Sequence, residues 1–258
     1  MGLMKNQIPP ILLEDNHLLA FAKPAGVATA PPAMVGELTL AGLAQLYLKT
    51  SYRKPGNVYL GVVHRLDRPT SGVVIFTRTS KAAARLSGQF HEKETEKAYL
   101  ACFEERKTRL PERGQMLDWM RSEGARAGQG VRKAERLHQD SRGAKEAVLD
   151  YEVIRRVSGM ALALVRPKTG RTHQIRAQFA WRGCPLVGDD RYGAAGPLSC
   201  STGPVIGLHA WGLRFQHPTK IEPLELVVKP GQEWPTVLGA GAWLEEALNA
   251  LESPWRQP

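Results

Sequence analysis

The sequence GVVHRLDRPTSGVVIFTR runs from Gly61 to Arg78. Two apolar runs, Val62-Val63 and Val73-Val74-Ile75-Phe76, flank a polar turn. That turn holds His64, Arg65, Asp67, Arg68, Thr70 and Ser71 and closes on Gly72. β-branched runs on either side of Pro and Gly read as strand, turn, strand. Asp67 stands between two arginines. An opposite charge offsets the cost of desolvation and keeps such a carboxylate ionised. That suits a nucleophile or base. The same grouping also serves as an ion-pair network that pins a loop.

Outward from this turn, Ile11–Lys23 is apolar with a polar break at Glu14–His17 and ends at Pro24-Ala25-Gly26, which predicts a hairpin. Leu38–Leu48 has helical spacing, and Thr79 and Ser80 cap a helix through about Phe90. Lys97–Phe103 alternates as a strand. Ala147–Val157 and Met160–Arg166 form a hairpin around Ser158-Gly159. Thr172–Arg182 reads as a helix, with late strands at Ile206–Phe215 and Glu222–Val228 and a closing helix over Trp234–Leu251. Hairpins and helices mix without regular β-α alternation. The expectation is an α+β fold: a long mixed, mostly antiparallel sheet with flanking helices and loops around a central cleft. One domain is expected over residues 9–253, with flexible termini at 1–8 and 254–258.

The 258 residues suffice for a sizeable core. Lys and Arg number 35 against 25 Asp and Glu, a net +10, which points to a polyanionic partner or simply to solubility. The segment Arg106–Lys145 carries eleven basic and five acidic residues. It reads as a long excursion with short strands, either a solvated loop or an arm on phosphates.

No nucleotide-binding glycine fingerprint occurs, the seven histidines lack ligand spacing, and no serine nucleophile elbow appears. No cofactor and no metal are expected. The three cysteines are far apart, and neither a signal peptide nor a membrane span is predicted, so a cytoplasmic monomer is the expectation.

A second polar segment, Arg166–Arg176 (RPKTGRTHQIR), also adjoins an apolar strand. On a helix, Thr172 and Arg176 share one face, as do Arg171 and Ile175.

HRLDRPTSG closely resembles the H-R-L-D-x-x-T-S-G signature of RluA-type pseudouridine synthases. LLEDNHLLAFAKPAGVATAP resembles that family's first motif, and EKAYLACFE its K-x-Y-x-A segment. PKTGRTHQIRAQFAWRGCPLVGDDRYG and LHAWGLRFQHP resemble its later motifs, in family order from about Ile11 to Pro218. The resemblance implies the family's catalytic domain without an S4 RNA-binding domain. It implies cofactor-independent isomerisation of uridine to pseudouridine in a tRNA or rRNA stem-loop.

By resemblance, Asp67 is the catalytic carboxylate, attacking sugar or base or taking a sugar proton. Arg176 pairs with it, Tyr99 stacks on the flipped base and helps remove the final C5 proton, and Ile175 lines the other side of the uracil. Arg65 enters the space the nucleotide vacates. His64, Thr70, Arg171 and Lys23 are further candidates for contact with RNA. For His64 and Thr70 the turn itself is an alternative role; for Lys23, simple solvation. His173 and His209 read as structural hydrogen-bonders. Two other functions fit: a catalytically silent RNA-binding module on the same fold, and a ribonuclease using His64 and His173.

Overall fold

The computed structural model describes residues 8–31, 38–106, 108–121, 133–232 and 234–255. β1 (Ile11–Glu14) and β2 (Leu18–Lys23) form the first hairpin. α1 (Leu40–Ser51) is capped by Thr39, whose hydroxyl accepts from the Gly42 amide. β3 (Gly61–Val62) and β4 (Ser71–Thr77) frame the polar turn. α2 (Ser80–His91) follows, capped by Thr79, and then β5 (Glu96–Glu104).

β6 (Arg113–Arg121), β7 (Glu135–Leu137), β8 (Lys145–Val157) and β9 (Met160–Pro167) come next. β8 and β9 meet at Ser158-Gly159, both at positive φ, as a tight two-residue hairpin turn requires. α3 (Gln174–Trp181) leads to a small hairpin of β10 (Leu198–Cys200) and β11 (Gly203–Val205). β12 (Leu208–Gln216) and β13 (Pro223–Val227) complete the sheet, and α4 (Trp234–Val237) and α5 (Ala242–Asn249) close the chain.

The result is a mixed α+β fold. Its main sheet has eleven strands among the described residues, in the order β1-β2-β4-β12-β5-β9-β8-β6-β7, with β3 on β4 and β13 on β12. Every pairing is antiparallel except β4 with β12. That parallel seam is short, His209 opposite Ser71 and Ala210 opposite Gly72. Ala210 also faces Tyr99 across the β12–β5 pair. The seam therefore sets the end of the polar turn beside the tyrosine strand.

Three expectations are corrected. Trp234–Leu251 is two short helices, because Gly239 and Gly241 both take positive φ between them. α3 begins at Gln174, so Arg171 and Thr172 lie before it and share no helix face with Ile175 and Arg176. The basic segment contains a regular nine-residue strand, β6, whose residues Arg113–Met120 pair with β8.

Several cations of that segment serve the fold. Arg113 pairs with Glu152, Arg121 with Glu135, and Arg136 with the buried Asp118. Lys107, Arg126 and Arg132 lie outside the described residues. So do residues 1–7 and 256–258, while Pro254 and Trp255 pack against Gly212. Among the described residues no helix is long and apolar enough to cross a membrane.

The seam sets a stringent demand at Gly72. Its φ is 120°, and a Cβ there would lie 2.2 Å from the Ala210 carbonyl oxygen. Gly72→Ala is therefore expected to cost about 3 kcal/mol or more, read as a lower urea midpoint. An unchanged midpoint would show that the seam is not so tightly closed.

Candidate active site

The turn between β3 and β4 is held from below by the loop after β2. Lys23 is 1% exposed, and its ammonium donates to the carbonyls of Pro24, Val27 and Arg68 at 3.0, 2.7 and 3.1 Å. The Arg68 Nε donates to the Gly26 carbonyl. The Thr29 hydroxyl donates to the Leu66 carbonyl and accepts from the Leu66 amide. The Thr70 amide donates to the Asp67 carbonyl. With this backbone clamped on both sides, the Asp67 side chain has a defined direction.

Across the seam, α3 presents Arg176, 5% exposed. Its Nη1 donates to Asp67 Oδ2 at 2.9 Å. Its Nε and Nη2 donate to the two oxygens of Asp189 at 2.7 and 2.8 Å. One guanidinium thus serves two carboxylates, in the forked geometry that suits arginine. Burial works against the Arg176 charge, but the Asp189 hydrogen bonds and the two carboxylate charges outweigh it and raise its pKa further. Tyr192 lies beneath, with the guanidinium 5.2 Å from its ring centre.

His173, at φ 58°, joins the same network. Its Nδ1 meets the Tyr192 hydroxyl at 3.0 Å and its Nε2 lies 3.7 Å from Asp67 Oδ2. Burial lowers its pKa despite the Asp67 charge, so the ring is neutral near pH 7. The Tyr192 hydroxyl in turn accepts from the Ala134 amide.

These groups floor an open pocket. Asp67, Thr70, Tyr99, His173, Ile175, Arg176 and Leu208 line it, with Arg65, Lys97, Gly170 and Arg171 also on its wall. Asp67 is the sole carboxylate among the described lining residues. Burial first, and then the Asp67 charge, push the Tyr99 phenol well above its ordinary range. The ring is therefore a neutral wall at physiological pH. Gln174 fixes the loop before α3 by accepting from the Thr169 hydroxyl and the Arg171 amide.

The structure thus gathers Asp67, Tyr99, Arg176, Ile175, Thr70, Arg65 and Arg171 at one pocket. It does not bring His64 there. That ring stacks on Phe90, and its Nε2 accepts from the Ile75 amide at 2.9 Å. Burial, with Lys97 nearby, lowers its pKa to about 4. His64 and His173 therefore do not face one site, and the ribonuclease arrangement has no geometric basis. Lys23 is likewise corrected: it is neither solvated nor open to a phosphate, because three carbonyls enclose its ammonium.

The main omissions of the sequence reading are Asp189, Tyr192 and Lys97. Asp189 and Tyr192 stand in GDDRYG, at the end of the stretch from Pro167 that resembles a family motif.

Two substitutions probe this support. Asp189→Asn leaves Arg176 buried beside one carboxylate, and losing one partner of a buried pair costs about 3–5 kcal/mol. A fall in the denaturation midpoint at constant slope is the expected reading. Burial brings the Lys23 pKa from 10.5 down to about 7. The unfolded chain therefore binds more protons between about pH 7 and 10.5, and Lys23 adds stability as pH rises through that window. Lys23→Met should flatten the rise in melting temperature there. An equal rise in both proteins would contradict the depressed pKa.

A profile of the family described as RNA pseudouridylate synthase matches residues 17–181. The chain is 33% identical over 214 residues to Ribosomal large subunit pseudouridine synthase C of Escherichia coli strain K12, covering 81% of this chain and 62% of that protein. It thus spans less than two thirds of that relative's length. It is 30% identical over 253 residues to a protein of Aquifex aeolicus strain VF5 named Uncharacterized RNA pseudouridine synthase, covering 92% of this chain and 73% of that one. Among solved structures, Human RNA Pseudouridylate Synthase Domain Containing 4 shares the fold with a TM-score of 0.69 at 23% identity, over 89% of this chain and 92% of that chain. Human RNA Pseudouridylate Synthase Domain Containing 1 gives a TM-score of 0.64 at 24% identity, over 98% and 100%.

Proposed function

This chain belongs to the RNA pseudouridylate synthase family, of the RluA type, and from that premise we propose that it isomerises uridine to pseudouridine in large-subunit ribosomal RNA. The observation that carries the proposal is Asp67 at the floor of the pocket, held by Arg176, with Tyr99 and Ile175 on the walls. The choice of RNA rests on the name of the Escherichia coli relative.

In the reaction the N1–C1′ bond breaks and a C5–C1′ bond forms. The C5 proton leaves and N1 gains one, so nothing is oxidised and no co-reactant is consumed. Asp67 is the reacting carboxylate. Arg176 donates to its Oδ2 and holds the side chain in a fixed direction toward the pocket. Asp189 fixes Arg176 from behind and so acts through it. The Tyr99 ring and Ile175 hold the flat uracil between them. With its phenol kept neutral, Tyr99 contributes a surface for packing, and the C5 proton goes to Asp67 or solvent.

The uridine must leave its stack to expose C1′ and C5, at a cost of a few kcal/mol. Arg65 also lines the pocket, and its one hydrogen bond among the described residues is to the Ala30 carbonyl at 3.4 Å; on this reading it fills the space the base leaves.

Unmodified large-subunit rRNA transcript, tritiated at C5 of uridine, tests the proposal. The wild-type chain should release tritium without cutting the RNA, and Asp67→Asn should slow release about a thousandfold or more. RNA binding without release would favour the silent module on this fold. Release by Asp67→Asn at the wild-type rate would remove Asp67 from the chemistry.

A further inference from the structure

Lys97 is the pocket-lining group that the roles above leave unused. It lies on β5, two residues before Tyr99, so both side chains leave the same face of the strand, about 6–7 Å apart along it. It is half-buried, close enough to His64 to help lower the pKa of that ring, and beside Gly170, where a Cβ would lie 3.6 Å from its Nζ. Its ammonium has no hydrogen bond and no ion pair among the described residues. Burial alone lowers its pKa, and no carboxylate offsets that cost.

The contrast with the other buried cations is informative. Arg176 has two carboxylates and Lys23 three carbonyls. An ammonium taken partly out of water with no acceptor is an unfavourable arrangement in the free protein. It becomes favourable when the ligand brings the anion. Asp67, the sole carboxylate among the described lining residues, is already matched by Arg176.

We propose that Lys97 binds the backbone phosphate of the flipped nucleotide, anchoring the target by its phosphate while Tyr99 packs on its base. This rests on the uridine-flipping reading above. Asp67, Tyr99 and Lys97 line the same pocket, so in this proposal the uracil packs on Tyr99, its sugar meets Asp67, and the phosphate of that nucleotide meets Lys97. The spacing of two residues on one strand face is on the scale of a single nucleotide. Lys97 is thus a residue that positions substrate. A uracil carbonyl is the competing acceptor, and the two differ in charge. Only the phosphate contact releases a counterion and so depends steeply on salt.

The experiment uses the full chain and the same tritiated rRNA transcript, with Lys97→Met and Lys97→Arg compared to wild type after matched melting curves. Lys97→Met is expected to lower kcat/KM about tenfold, with the loss in KM, and Lys97→Arg to recover most of it. RNA binding is measured between 50 and 200 mM salt in an Asp67→Asn background. There Lys97→Met should reduce the slope of log affinity against log salt by about 1. A raised KM with an unchanged salt slope would assign Lys97 to the base and overturn the phosphate contact. A loss confined to kcat, wild-type kinetics in Lys97→Met, or no recovery by Lys97→Arg would overturn it as well. Each of these presupposes tritium release by wild type, whose absence would instead overturn the uridine-isomerising function itself.

Discussion

The parallel contact between β4 and β12 is the constraint on which the rest depends. Two residue pairs join one half of the sheet, carrying the polar turn, to the other half, carrying Tyr99. The backbones approach so closely at Gly72 and Ala210 that no side chain fits between them. The Ser71 hydroxyl donates to His209 Nδ1 at 2.8 Å, because the opposite ring nitrogen must donate to the Val228 carbonyl. Burial lowers the His209 pKa to about 4, so this link is made by a neutral ring. Asp67 comes from one side of the seam, and Arg176, Asp189 and Tyr99 from the other. Geometry at the site is therefore inherited from geometry at the seam.

Charge is distributed around that geometry in three ways. Arg176 is fully matched by carboxylates, and its cost of burial is offset by a fork of short hydrogen bonds. Lys23 is matched by carbonyl dipoles only, which support the turn without adding a second negative charge near Asp67. Lys97 has no partner among the described residues. The protein supplies acceptors for the buried cations Lys23 and Arg176 and leaves the half-buried Lys97 without one.

Much of the architecture was readable in the sequence because local signals and the final fold agree. Thr39 and Thr79 cap their helices, alternating apolar runs became strands, and Ser158-Gly159 made the turn its composition suggests. The Asp67–Arg176 pair was reached through motif resemblance, since 109 residues separate the two and no local pattern joins them. What remained hidden depends on burial. A lysine at the end of a hairpin looks exposed until the loop behind it folds over, as at Lys23. Asp189 looks like an ordinary loop acid until Arg176 is placed against it. The closing helix was misread because its apolar content outweighed two glycines that break it.

The seam also has a consequence for how activity relates to folding. The carboxylate and its guanidinium partner are held from opposite sides of the seam, so parting β4 from β12 would separate Asp67 from Arg176 while leaving most strand pairings in place. The Asp67–Arg176 contact therefore reports the closed state of one junction, two residue pairs long, before circular dichroism would register any loss of strand.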